Sequence, residues 1–458
     1  MITLIAYILT RLFVPKKNYT LEEDEVRYIT TARNFYRLWN NKFYDMHPPL
    51  YSFFIRYLRS GVVVSFLCSI GLYFVSVALY SALGLTPYQK TIALTFLAFN
   101  YTLIYYSNRV FRYQLIALLG TVTIYLMVTN AWLSAGLSWG LLGLTCSFAG
   151  LRGFFIWACL GFNWISLLSF GAVYSIWLFA KIKVYVDNEY YPSGIDGRIE
   201  RVKDFTLKQL LSPQYFNWTY EYYGKRELGY DLKNWHKKIG VIFGLYQTKI
   251  QPVNIIINLL TLVVGFFTIK GALLSPLWMS ILVIALLYPS LLKRFLPRNS
   301  IIAIPLLGFM LAKGIPQIPN QWLYFAILSG VGVFLCFQRA FLLTKPKIKA
   351  FIVGQYLDSL PRNGVLCEGM IANSVAYRTK KRVVVLPHNN CKENAIYQTD
   401  LSIEKFNLNY AVYSNLWLKD IHLGYPAINY IKTFNLIKVI YEDGDHYYIY
   451  DLSSHKPT

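Results

Sequence analysis

The chain has 458 residues, 55% hydrophobic and only 15% charged, with a mean hydropathy of +0.37; this excludes an ordinary soluble domain and places it among membrane proteins. Lys plus Arg number 45 against 23 Asp plus Glu, a formal charge of +22, so anionic partners are expected, with membrane lipid headgroups and phosphate-bearing substrates the nearest to hand. Nucleic acid is set aside, because there is no zinc-finger spacing, RNP-like aromatic strand or basic amphipathic helix.

Met1 to Val14 is apolar, holds Arg11 and runs into the charged stretch Lys16 to Asp24. It lacks the small-residue cleavage site of a signal peptide and reads as a first membrane helix. A charged, aromatic loop, Leu21 to Tyr57, follows. Further spans, each needing about 20 apolar residues or fewer when packed together, are expected at Val62–Leu83, Thr91–Tyr106, Leu115–Val128, Trp132–Phe148, Val253–Thr268, Leu274–Leu292, Ile301–Ala312 and Trp322–Leu343. Leu151 to Ala180 is long for one helix and short for two, with Asn163 and Trp164 marking a turn. Lys181 to Gln251 is a second large loop, rich in Tyr, Trp, Lys and Arg.

Beyond Thr344 the membrane pattern stops. Helical spacing at Ile348–Leu360, Ile371–Lys380 and Asn394–Phe406 alternates with strands at Gly364–Cys367, Arg382–Leu386 and Tyr410–Tyr413. A hairpin, Ile437–Tyr441 with Tyr447–Tyr450, turns around Glu442-Asp443-Gly444-Asp445. Such alternation predicts a small α/β domain. The expected class is therefore mainly α: a polytopic transmembrane helical bundle, residues 1–343, with external loops at 15–60 and 181–252, and a soluble α/β domain, 344–458, outside the cytoplasm. Two crossings within Leu151–Ala180 make eleven helices and put both loops, the tail and the basic clusters at Arg109 and Arg112, Arg152, and Lys293, Arg294 and Arg298 on one face. That departs from the usual cytoplasmic bias of Lys and Arg, as a phosphate-binding site would.

Cys68, Cys146, Cys159 and Cys336 lie in apolar segments as small core residues; Cys367 and Cys391 lie in the tail, where an oxidising compartment would permit a disulfide. Asn-x-Thr tripeptides at Asn18, Asn100 and Asn217 do not decide sidedness.

The densest chemical signal is Glu22-Glu23-Asp24-Glu25 followed by His47-Pro48-Pro49-Leu50-Tyr51. Taken alone, the carboxylates are a favourable acidic cap on a helix beginning near Val26, and the prolines start a further helix. Asp24-Glu25-x-x-Tyr28-x-x-x-Ala32-Arg33-Asn34 followed by His47-Pro48-Pro49-Leu50-Tyr51 resembles the first external loop of the dolichyl-phosphate-mannose protein mannosyltransferase superfamily. That group is glycosyltransferase family 39 with its relatives, including the lipid A aminoarabinose transferases, of the GT-C fold class. In chain order, Ser107-Asn108-Arg109-Val110-Phe111-Arg112-Tyr113-Gln114 is similar to the family's arginine-rich turn, Gly140 to Gly153 to its Gly-Leu-rich helix, and Arg298 to Pro305 to its Arg-Tyr-Leu-Leu-Pro segment.

The resemblance implies an integral-membrane glycosyltransferase moving a sugar, with inversion, from a polyprenyl-phosphate donor to a lipid, glycan or protein acceptor on the non-cytoplasmic face. Asp24 would accept the acceptor's proton or orient it, with Glu25 beside it; His47, Arg109, Arg112, Arg152 and Arg298 would hold the donor phosphate. Two departures stand out. Gln114 replaces an acidic residue of many relatives, which counts against a divalent metal as cofactor, and only Arg298 and Pro305 survive of the Arg-Tyr-Leu-Leu-Pro segment. Other classes consistent with charged groups in a helical bundle are a polyprenyl-lipid transporter or flippase and a noncatalytic lipid-binding protein.

Overall fold

The computed structural model describes residues 2–12, 23–33, 35–36, 48–187, 190–193, 199–202, 240, 242–245, 251–292, 301–316, 330, 348–368, 371–386, 392–415, 426–442 and 444–453. The helices in chain order are α1 (Ile2–Leu12), α2 (Glu23–Arg33), α3 (Leu50–Leu58), α4 (Gly61–Ala82), α5 (Pro87–Phe99), α6 (Tyr101–Ser107), α7 (Tyr113–Val128), α8 (Trp132–Thr145), α9 (Ser147–Leu160), α10 (Trp164–Asp187), α11 (Gln251–Leu273), α12 (Leu277–Leu292), α13 (Ile304–Gly314), α14 (Phe351–Ser359), α15 (Ala372–Arg378), α16 (Lys392–Phe406) and α17 (Pro426–Ile431). The strands are β1 (Tyr190–Ser193), β2 (Ile199–Val202), β3 (Val365–Cys367), β4 (Val383–Val385), β5 (Tyr410–Ser414), β6 (Asn435–Glu442) and β7 (Asp445–Asp451). The chain divides into two compact units: Met1–Lys17, His47–Trp177 and Phe216–Thr344 form the first, and Asn18–Met46, Leu178–Tyr215 and Lys345–Thr458 the second.

The described residues of the first unit are helical. Among them α4 and the Asn254–Leu273 part of α11 are long and apolar enough to cross a membrane, and several shorter helices are apolar. Leu168, Leu262, Ile269, Leu273, Leu277 and Ile284 are each more than half exposed, a surface that suits hydrocarbon and would be a liability in water. Where helices cross, small residues let backbones meet: a Cβ on Gly271 of α11 would fall 1.7 Å from the Met310 carbonyl oxygen, and one on Gly314 of α13 would fall 1.8 Å from that of Phe267.

The span expected at Thr91–Tyr106 is two helices. Asn100 takes an extended conformation (ψ 109°) between α5 and α6, and its Oδ1 accepts from Leu103 N at 3.3 Å. The carbonyls this break strips of intrahelical donors are met by Arg11, which is 1% exposed: its Nη1 donates to Ala98 O at 3.1 Å and its Nη2 to Leu97 O at 3.2 Å. Asn100 is buried, so the tripeptide there offers no accessible acceptor. The stretch Leu151–Ala180 falls to α9 and α10, with the turn at Gly161 (φ 135°) and Asn163, whose Oδ1 accepts from Ile165 N at 2.9 Å. The span expected at Trp322–Leu343 lies outside the described residues, apart from Gly330.

The second unit is an α/β domain on a seven-stranded sheet of order β1-β2-β4-β3-β5-β7-β6. β2, β4, β3 and β5 run parallel, while β1, β7 and β6 pair antiparallel. Successive residues alternate faces: Val365, Cys367, Val383, Val385 and Val412 pack with Val353, Leu357 and Val375 of α14 and α15. Leu366, Val384, Ala411 and Tyr413 pack with Ile403, Ile428 and Ile431 of α16 and α17 on the other face. The predicted tail elements all form, but α17 was missed. The sheet also recruits β1 and β2 from the segment expected to be a loop; at four residues each, with charges in β2, they lack a hydrophobic rhythm to announce them. The acidic hairpin turn has a structural use: Glu442 Oε1 and Oε2 accept from Phe351 N and Ile352 N at 2.7 and 3.0 Å, capping α14, and Asp445 pairs with Lys349 at 2.6 Å. Cys367 is buried in the sheet core, and Cys391 lies outside the described residues.

Candidate active site

In the first unit, three chain segments meet beside one arginine-rich turn. α6 ends at Ser107, the chain turns through Arg109, Val110 and Phe111, and Arg112 occupies the N-cap of α7. Arg109 is 5% exposed; its Nη1 donates to the Tyr105 hydroxyl, and its guanidinium carbon lies 5.0 and 5.1 Å from the ring centres of Tyr105 and Phe111. Arg109 lies two residues past the end of α6, and the turn of the chain there lets it stack back on Tyr105. Arg112 Nη1 donates to Thr145 O at 3.4 Å, the last residue of α8. α9 begins two residues later, and Arg152 stands half-buried on it, about 8 Å along the axis from its start at 1.5 Å per residue.

The start of α3 joins the same end. The Tyr51 hydroxyl donates to Gly61 O at 3.1 Å and lies 2.9 Å from Ser65 Oγ, which donates to Phe111 O at 3.1 Å. Gly61 is required by this approach, since a Cβ there would lie 2.3 Å from Val110 Cγ1. Pro48-Pro49-Leu50-Tyr51, the Arg109–Arg112 turn and the α8–α9 junction carrying Arg152 are thus assembled together. Between Asp45 and Asp187 the sequence contains no Asp or Glu, so these helices bring no carboxylate to offset the cations. Arg109 is held against aromatic rings and Arg112 against a helix carbonyl, and a guanidinium offers planar paired donors of the kind that suit an anion of tetrahedral oxygens. Sequence reading did not single out Tyr105, Phe111 or the acid-free run, although the last is legible by inspection.

Gln114, where an acid was expected from the resemblance, is fully buried and its Nε2 donates to Leu103 O; it fastens α7 to α6. Among the described residues no group of three or more His, Cys, Asp or Glu could hold a metal ion. His47 and Arg298 lie outside the described residues, as do Lys293 and Arg294.

Asp24 and Glu25 stand in the first turn of α2, in the second unit. An acidic cap alone would leave both in solvent; instead Asp24 is half-buried and Glu25 fully buried, Tyr28, Thr30 and Thr31 are likewise enclosed, and Arg27 is largely so. α2 packs on α15, where Arg33 Nη2 donates to the Tyr377 hydroxyl at 3.1 Å with its guanidinium 5.1 Å from the ring centre. The acidic motif is therefore built into the α/β domain. Burying a carboxylate is costly without partners, which marks Glu25 as more than surface charge.

No family model matches the chain, and no curated protein matches it in sequence. Solved structures do match. ArnT from Cupriavidus metallidurans in the apo state is similar at a TM-score of 0.55 and 10% identity, over 98% of this chain and 96% of that one. The same protein bound to undecaprenyl phosphate gives 0.55 and 12%, over 99% and 97%. The Archaeoglobus fulgidus oligosaccharyltransferase complex with Zn and sulfate gives 0.45 and 12%, over 90% and 67%. At these identities the likeness is one of fold: the chain is a polytopic membrane helical bundle of the GT-C type with an α/β domain.

Proposed function

We propose that this chain is an integral-membrane glycosyltransferase that takes a sugar from a polyprenyl-phosphate donor. The observation that carries the reading is the arginine-rich end of the first unit, where the turn holding Arg109 and Arg112 meets the end of α8 through Arg112 and the start of α9 brings Arg152. The ArnT fold, seen with undecaprenyl phosphate bound to that protein, supports it.

In the proposed reaction an acceptor hydroxyl oxygen forms a bond to the anomeric carbon as the bond from that carbon to the phosphate oxygen breaks, inverting the centre. The bonding electron pair leaves on the polyprenyl phosphate, whose growing charge Arg109, Arg112 and Arg152 stabilise, with His47 and Arg298 as further cations. Removing one such donor typically costs about 3 kcal/mol of transition-state stabilisation. The hydroxyl proton passes to Asp24, with Glu25 positioning it. A phosphate acceptor would need no base, and Asp24 would then orient it. The acceptor is a lipid, glycan or protein, and the reaction takes place on the non-cytoplasmic face. Segments that precede and follow α11 to α13 in the chain share one sheet, since β2 pairs with β4, and α2 packs on α15; both favour a common face for Asp24, β2 and the tail.

Proteoliposomes holding the full chain and a polyprenyl-phosphate sugar radiolabelled in the sugar test the reading. Label should move to acceptor; movement of intact donor across the bilayer without transfer would make the chain a flippase.

A further inference from the structure

We propose that Tyr105 is a positioning residue that orients the guanidinium of Arg109 toward the lipid phosphate. This role rests on the transferase reading of the arginine-rich turn. Tyr105 meets Arg109 twice: its hydroxyl accepts from Nη1, and its ring centre lies 5.0 Å from the guanidinium carbon. Phe111 supplies a second ring at 5.1 Å. A guanidinium on a long side chain turns freely about its last bonds. Ring contacts restrict its plane, and a hydrogen bond at one nitrogen restricts rotation within that plane.

Tyr105 is itself fixed. It stands in the last turn of α6, where Ser107 Oγ donates to Ile104 O at 2.7 Å, Asn108 Nδ2 to the same carbonyl at 3.1 Å, and Asn108 N to Tyr105 O at 3.4 Å. Its ring meets Tyr106 edge-on at 5.0 Å and Tyr101 at 6.1 Å. Tyr106 in turn meets Phe111 and Tyr113 edge-on at 5.7 and 4.7 Å. Tyr101, Tyr106, Phe111 and Tyr113 are all buried, and Ser65 Oγ of α4 donates to Phe111 O at 3.1 Å. Close-packed rings have little rotamer freedom, so the groups that aim Arg109 are set before any lipid arrives. Donors fixed in advance cost no reorganisation when charge develops.

A phenol suits this task. A carboxylate in place of the Tyr105 hydroxyl would also orient the guanidinium, but its charge would cancel the field that a phosphate needs, whereas a neutral hydroxyl orients without cancelling. The phosphodiester of the donor carries a single negative charge. As the bond from the anomeric carbon to the phosphate oxygen breaks, the electron pair stays on that oxygen and the departing monoester gains a second charge. The aim of Arg109 therefore matters more to the transition state and to released polyprenyl phosphate than to bound donor.

Affinities for polyprenyl phosphate and for the sugar-bearing donor, measured on the full chain in nanodiscs, test the role through a double-mutant cycle. Tyr105→Phe keeps the ring and should weaken polyprenyl phosphate roughly tenfold, as expected for a hydrogen bond to a charged group. Donor affinity and the melting temperature should stay near native, and kcat should fall at a steady KM. Tyr105→Leu, which also removes the ring, should weaken polyprenyl phosphate further, and neither change should add to Arg109→Ala. Equal weakening of donor and product, an undiminished effect in the Arg109→Ala background, or native affinity in Tyr105→Phe overturns the role. Radiolabel transfer measured separately keeps the two ideas apart: binding without transfer would reject the transferase and retain Tyr105 as the orienting group, and no binding by the native chain would reject both.

Discussion

Arg11 offers the sharpest mechanical prediction. Its Nε donates to Ser69 Oγ at 2.8 Å, its Nη1 to Tyr7 O, Thr10 Oγ1 and Ala98 O at 3.0, 3.0 and 3.1 Å, and its Nη2 to Leu97 O at 3.2 Å. Arg11→Met keeps much of the side-chain length and removes every donor. Ala98 O retains the Thr10 hydroxyl, a 3.0 Å bond, as a partner, whereas Leu97 O loses its Arg11 donor at a helix end that has no intrahelical replacement. Orphaning buried acceptors costs about 1–3 kcal/mol each, and relief from burying the cation offsets part of that, so a net loss of about 2 kcal/mol is expected. Thermal melting of the purified chain in detergent should fall by several degrees, with Arg11→Lys intermediate. Because α6 begins at this break and ends at Ser107, shortly before Arg109, affinity for polyprenyl phosphate should fall several-fold as well. A melting temperature at or above the native value would show that Arg11 does not hold the α5 terminus.

Asp24→Asn should lower sugar transfer by roughly a hundredfold, within the range for acid–base groups, while leaving donor binding near normal; near-native turnover removes Asp24 from the proton-accepting role. Sugar-free polyprenyl phosphate should compete with the donor and free monosaccharide should not, and Arg109→Ala or Arg112→Ala should weaken that competition; the reverse pattern would assign the arginines to ordinary headgroups. Gly271→Leu should destabilise the bundle strongly by forcing α11 from α13, read as loss of a monodisperse peak in size-exclusion chromatography, with an unchanged profile refuting the close approach. Cysteines placed at the exposed positions Tyr36 and Lys380, in a background without reactive thiols, should both react with an impermeant maleimide from the same side of sealed vesicles; opposite sides would overturn the common face.

Several features were legible in the sequence because their causes are local. Apolar length marked most helices, turn residues at Asn163 marked a break, and short apolar runs between helical segments marked β3 to β5, with the turn at Gly444 marking the hairpin of β6 and β7. The positions of Arg109, Arg112 and Arg152 and the acid-free run around them are likewise properties of the text. Other features depended on partners far along the chain. The break at Asn100 is sustained by Arg11, 87 positions from Ala98, and no window of 20 residues contains both. β1 and β2 are too short and polar to stand without β4, and α2 is an acidic surface helix until α15 covers it. The meeting of Arg112 with the α8 terminus and of Tyr51 with Gly61 and Ser65 exists only once the helices have packed. Hydrophobic pattern selects elements from short stretches of chain, whereas hydrogen-bond partners and close backbone contacts are chosen by packing between distant ones.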